Sequence, residues 1–84
     1  MCRKNNVVWI FTDAKDVDLI KSSIRVIDDI TDLNVYIDDN TGKALIAFIS
    51  KTSMRKVAKI IKKRIYKSKI KIKNGIIFVD VDMA

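Results

Sequence analysis

The apolar residues of this chain recur at two different spacings, and the order in which those spacings alternate restricts its fold more than any other feature. "NVVWIFT" (Asn6–Thr12) is a short β-branched and aromatic run of the kind that pairs in a sheet. The spacing then changes. Val17, Ile20, Ile24, Ile27 and Ile30 recur every third or fourth residue, with Lys21, Ser22, Arg25 and Asp28 between them, which predicts an amphipathic helix over Val17–Ile30 with Asp13 or Asp16 as its N-cap. "LNVYID" (Leu33–Asp38) alternates, "DNTG" is turn chemistry with Gly42 suited to a left-handed position, and "KALIAFIS" (Lys43–Ser50) reads as a strand, so a hairpin is expected. Helical spacing returns from Ser53, a second candidate N-cap, to Tyr66. "KIKIK-NG-IIFVDV" then places two alternating runs about Asn74–Gly75, the strongest short-range hairpin signal. The order β-α-β-β-α-β, with one extra short strand before the last, predicts an α+β domain of the ferredoxin-like split β-α-β type, with two helices on one face of an antiparallel sheet.

Eighty-four residues leave room for one modest core, so residues 1–84 are read as a single domain, frayed over 1–5. A hydrophobic content of 49% is too high for a disordered tail. The single cysteine, Cys2, allows no intramolecular disulfide and is expected to be inert, which suits a reducing, cytoplasmic compartment. No run approaches the roughly eighteen apolar residues of a membrane span, and "MCRKNN" precedes too short an apolar segment for a signal peptide, so no membrane association is expected. Every acid is Asp, His, Glu and Pro are absent, and Ile, Lys and Asn are abundant. That is the composition of an AT-rich genome and points to a virus or phage.

Strand parity predicts which sheet face the helices cover. Val8, Ile10, Leu33, Val35, Ile37, Ile77, Val79 and Val81 share one parity and are all aliphatic, so they are expected beneath the helices. The other parity holds Val7, Trp9, Phe11, Asn34, Tyr36, Asp38, Ile76, Phe78, Asp80 and Asp82. Burying that set would bury Asn34, Asp38 and Asp80 with it, at kilocalories each unless paired, so Trp9, Phe11, Tyr36 and Phe78 are expected on an open face that serves stacking or a partner. Both parities of "ALIAFIS" are apolar; Phe48 is expected in the core.

Charge is divided between the halves of the chain. Residues 1–42 carry five basic and eight acidic side chains, whereas 43–84 carry twelve and two. Lys51–Lys73 alone holds eleven Lys and Arg and no acid. On a helical projection Met54, Val57, Ala58, Ile61 and Ile65 form one stripe, while Arg55, Lys56, Lys59, Lys62, Lys63 and Lys67 cover the other side. That side has no acid for i,i+4 pairing, so its lysines repel, a cost that a merely solubilising face avoids. Tyr66 lies among them, and Lys69, Lys71 and Lys73 continue the charge along a strand, making a ribbon suited to a phosphate backbone. The scarcity of Arg favours phosphate contact over bidentate reading of bases.

The element order and the aromatic open face resemble those of RNA-recognition-motif domains. "VWIFT" resembles that family's first-strand motif, with Trp9 where a stacking aromatic stands, "TGKALIAF" (Thr41–Phe48) can be laid over its third-strand consensus, and "KNGIIFVDV" looks like its turn into the last strand. In that register Lys43 and Leu45 stand where the family carries two further aromatics. The resemblance implies single-stranded nucleic acid on the sheet face.

Catalysis is not expected: without His or Glu, and with one cysteine, the usual general bases and nucleophile–base pairs are missing. Asp13, Asp16 and Asp18 fit a helix start without invoking a metal, and nothing calls for a cofactor or a small-molecule substrate. Asp28, Asp29 and Asp32 stand near the expected helix C-terminus, where they oppose the helix dipole and suit a basic partner surface. Two functions are therefore expected. One is a small basic domain binding RNA or single-stranded DNA, largely through phosphate and with weak sequence preference. The alternative is a protein-interaction module, a viral or phage inhibitor or adaptor, or a homodimer, built on the aromatic face.

Overall fold

The computed structural model describes residues 5–82, so Cys2 and most of the expected frayed start lie outside the described residues. Strand β1 (Asn6–Asp13) leads through a 3-10 turn at Ala14–Asp16 into helix α1 (Val17–Ile24). Strands β2 (Thr31–Asp38) and β3 (Lys43–Ser50), helix α2 (Met54–Arg64), and strands β4 (Ser68–Lys73) and β5 (Ile76–Val81) follow. The chain is α+β, with two helices and one five-stranded sheet of order β2-β3-β1-β5-β4. Neighbouring strands are antiparallel except β1 and β5, which are parallel, so the sheet is mixed where an antiparallel one was expected. The chain reaches β1 again only after crossing over the sheet through α2, and such a crossover is what a parallel neighbour requires.

The turns follow their residue chemistry. Asn74 and Gly75 both take left-handed φ, 55° and 74°, the pairing that a two-residue hairpin demands, and Gly42 does so at 71°. In the β2–β3 turn Asp38 Oδ1 accepts from the Asn40 N–H at 2.9 Å, while its carbonyl accepts from Gly42 N–H at 2.9 Å. Ser53 Oγ caps α2, accepting from Lys56 N–H at 3.3 Å. Asp13 and Asp16 occupy the cap positions of the 3-10 turn and α1 but make no side-chain cap bond; the Asp16 carboxylate is taken by Lys15 Nζ at 3.0 Å.

The core lies between the helices and one sheet face. Val8 and Ile10 of β1, Ile77, Val79 and Val81 of β5, and Ile46 and Phe48 of β3 bury there against Ile20 and Ile24 of α1 and Val57, Ala58 and Ile61 of α2. Phe48, 1% exposed, is among the largest fully buried side chains, as expected. Expectation and structure part on β2. Val35 is half-buried, but Leu33 and Ile37 are exposed although they lie on the helix side. The reason is reach. Helix α1 ends at Ile24, not Ile30, and α2 leans on α1 and β4, so no helix covers the β2 edge. Ile27 is still buried, from the segment that follows the helix. There Asp29 accepts from Ser50 Oγ at 2.6 Å and from Lys51 N–H at 2.7 Å, which fastens the segment to the end of β3. Asp29 is thus engaged within the fold. Among the described residues no helix is long and apolar enough to cross a membrane.

Candidate functional site

The sheet face away from the helices is assembled by register. Tyr36 pairs with Leu45, Leu45 with Phe11, Phe11 with Phe78, and Phe78 with Lys71, so these five side chains form one line across all five strands. The adjacent line runs Asn34, Ala47, Trp9, Ile76, Lys73. Directly paired residues project to the same side, which places three aromatics and a lysine in the first line and Trp9 and a lysine in the second. Tyr36 is 57% and Trp9 37% exposed, while Phe11 and Phe78 are half-buried. The two phenylalanines meet edge to face, with ring centroids 5.5 Å apart at 67°, so each shields the other.

Shallow hollows flank this pair on the same face. One, of about 490 Å³, is lined by Phe11, Phe78, Lys43, Lys69, Lys71 and Asp80 among others. Another, of about 380 Å³, lies between Phe11, Tyr36, Thr41, Lys43 and Leu45. Lys43 separates them and reaches Asp13 Oδ1 at 2.5 Å. That contact holds the Asp13 carboxyl below the usual carboxylate range and the Lys43 ammonium above the usual lysine value. The resemblance sets Lys43 and Leu45 at positions of stacking aromatics, and the register places both on this face. Parity alone does not assign them, because both parities of β3 are apolar.

The basic ribbon is divided. Arg55, Lys56, Lys59, Lys62 and Lys63 are exposed along the outer side of α2, as the helical projection predicts. Lys69, Lys71 and Lys73 do not continue that side, because each pairs with an open-face residue of β5, namely Asp80, Phe78 and Ile76. The expected single ribbon is therefore two basic surfaces on opposite sides of the molecule, and the second borders the aromatics. The surfaces meet at the α2–β4 junction, where Lys62, Tyr66, Lys67, Lys69 and Asp82 line a hollow of about 360 Å³. Tyr66 is 75% exposed there. Lys62 is partly committed to the fold, since its Nζ donates to the carbonyls of Tyr66, at 3.1 Å, and Ser68. Both carbonyls lie past the end of α2, in the turn and at the start of β4, so Lys62 ties the last turn of the helix to the chain that follows it.

Of the three aspartates at the start of α1, Asp13 and Asp16 are each paired with a lysine, and among the described residues no three potential metal ligands are grouped. Comparison of the chain with protein-family models, with curated proteins and with solved structures finds no match.

Proposed function

We propose that the open sheet face binds single-stranded nucleic acid, RNA or DNA, by stacking bases on Trp9 and Tyr36 and holding phosphates with Lys69, Lys71 and Lys73. The observation that supports it is the line Tyr36–Leu45–Phe11–Phe78–Lys71, an aromatic strip ending in a cationic edge on a face without a helix. Base stacking tolerates any sequence because every base has a π-face, and lysines contact phosphate as point charges, so sequence preference is weak. Without β4 the remaining strands run β2-β3-β1-β5, an order shared with the ferredoxin-like split β-α-β sheet. However, β5 lies parallel to β1 where the last strand of that fold is antiparallel, so the likeness to RNA-recognition-motif domains rests on the open aromatic face and not on strand direction. An interior, cytoplasmic setting belongs to the same proposal.

The test uses Trp9, the only tryptophan. Single-stranded RNA and DNA oligonucleotides are titrated against its emission, with duplex DNA as comparison. Quenching by the single strands is expected, and Trp9→Ala is expected to weaken binding by about 1–3 kcal/mol without unfolding the chain. Emission that ignores every oligonucleotide overturns the proposal. Emission that instead varies with protein concentration assigns the face to protein contact.

A further inference from the structure

The two outer strands of the sheet are opposite in charge and otherwise alike. β2 carries Asp32 and Asp38 and no basic residue, and Asp39 follows it; β4 carries Lys69, Lys71 and Lys73 and no acid. On the helix side both leave apolar residues uncovered: Leu33 and Ile37 of β2 are 38% and 56% exposed, and Ile72 of β4 is 44% exposed. Each strand is paired along one side only. An outer strand of this kind is a template for another strand.

Charge selects which strand. Two copies meeting β4 to β4 would set lysine against lysine, and β2 to β2 would bring Asp32 and Asp38 together; only the unlike pair joins base to acid. Direction permits it. Both β1 and β2 run antiparallel to β3, β5 runs parallel to β1, and β4 runs against β5, so β2 and β4 point in opposite directions. A second copy displaced sideways without turning therefore offers its β2 antiparallel to the first copy's β4, with open face continuing open face.

The register carried across the sheet then sets the contacts. Val35 is level with Ile72 through Ile46, Ile10 and Ile77, and Tyr36 is level with Lys71. Extending the β1–β5 register by one and two residues makes Ile37 level with Ile70 and Asp38 with Lys69. Unstaggered pairing thus covers Val35 and Ile37 with Ile72 and Ile70 on the helix side. On the open side it sets the Lys71 ammonium by the Tyr36 ring and Lys69 by Asp38. A one-residue slip would put lysines against the aliphatic side chains, so the pattern disfavours it.

We propose that β4 of one molecule pairs with β2 of a second copy, head to tail, extending the sheet and its aromatic face across molecules. The contact is heterologous, so each molecule keeps one free edge of each kind until a ring closes. It shares Tyr36, Lys69 and Lys71 with the nucleic-acid reading but does not rest on it, and it is measured without nucleic acid.

The experiment is analytical ultracentrifugation of the wild type over a concentration series at low and high salt, and of Ile37→Lys and Ile72→Lys, alone and mixed. The two new charges are alike, so the blocked edges do not attract. Both substitutions fall on exposed side chains, and far-UV circular dichroism checks the fold. The wild-type mass is expected to rise with concentration and to fall back in high salt. Each variant alone should remain monomeric because one edge is blocked, while the equimolar mixture, in which one intact β4 meets one intact β2, should form a dimer and stop there. A wild type that is monomeric up to millimolar concentration, variants that still associate alone, or a mixture that stays monomeric overturns the proposal. The wild-type series needs no variant, so a substitution that unfolds the chain does not shield it.

Discussion

Single residues show how local chemistry is decided by distant partners. Thr12 is 2% exposed on the helix side of β1, and its hydroxyl is without a hydrogen-bond partner among the described residues. A valine has the same shape and no polar group to desolvate, so Thr12→Val is expected to raise stability by about 1 kcal/mol, read from the urea midpoint. Asp29 is the contrary case. The Ser50 hydroxyl, first, and the Lys51 amide hold its carboxyl below the usual carboxylate value, so folding favours the charged form. Its contribution is therefore fully present above the usual value and is lost as pH falls through the lowered one. Asp29→Asn should lower stability at neutral pH and flatten the acid limb of the stability profile; equal slopes in the two proteins would show that the carboxylate contributes nothing. The role of Asp29 was not legible in sequence, because its partners lie 21 and 22 residues further on. Spacing near a helix end could suggest only a dipole conflict or a partner. Ser53 was legible because an N-cap and the amide it serves are three residues apart.

Among the elements, legibility depended on whether a strand's alternation had a helix above it. β1 and β5 alternate and are covered, so their buried residues followed from parity. β3 is apolar at both parities and central, and parity said nothing of it. β2 alternates correctly, but how far a helix extends over a strand is a property of helix length and chain path, which alternation does not contain. The apolar spacing that continues to Ile27 and Ile30 predicts a longer α1; the tie from Asp29 to Ser50 and Lys51 draws those residues into a turn instead. Covered and uncovered positions should therefore differ sharply in mutation. Phe48→Ala is expected to cost about 3–5 kcal/mol of stability, because it empties the middle of the core. Ile37→Thr retains the β-branch at an exposed site and should change stability by no more than about 0.5 kcal/mol in dilute solution. Similar urea midpoints for the two variants would mean that the core does not lie where the burial pattern puts it.

At the scale of the whole molecule, the eleven cations of Lys51–Lys73 are one block in sequence and two surfaces in space. Their abundance was legible from composition. Their division was not, since the side taken by Lys69, Lys71 and Lys73 depends on their pairing with Asp80, Phe78 and Ile76. A short single strand lying on the aromatic face reaches the β4 lysines and not the outer side of α2, where Lys56, Lys59 and Lys63 are exposed. If the β4 lysines neutralise about three phosphates, log K should fall against log salt with a slope of roughly −2. Neutralising all three as Lys69→Gln, Lys71→Gln and Lys73→Gln should bring that slope close to zero and abolish the quenching of Trp9. The matching triple variant on α2, Lys56→Gln, Lys59→Gln and Lys63→Gln, should leave slope and quenching as they are and reduce only the association rate at low salt, where long-range attraction operates. A wild-type slope near −4 that falls to about −2 in the α2 variant would instead show the strand passing from the face, over Lys67 and Lys69 at the α2–β4 junction, onto the helix. Loss of binding in the α2 variant with the β4 variant unaffected would move the site off the sheet altogether.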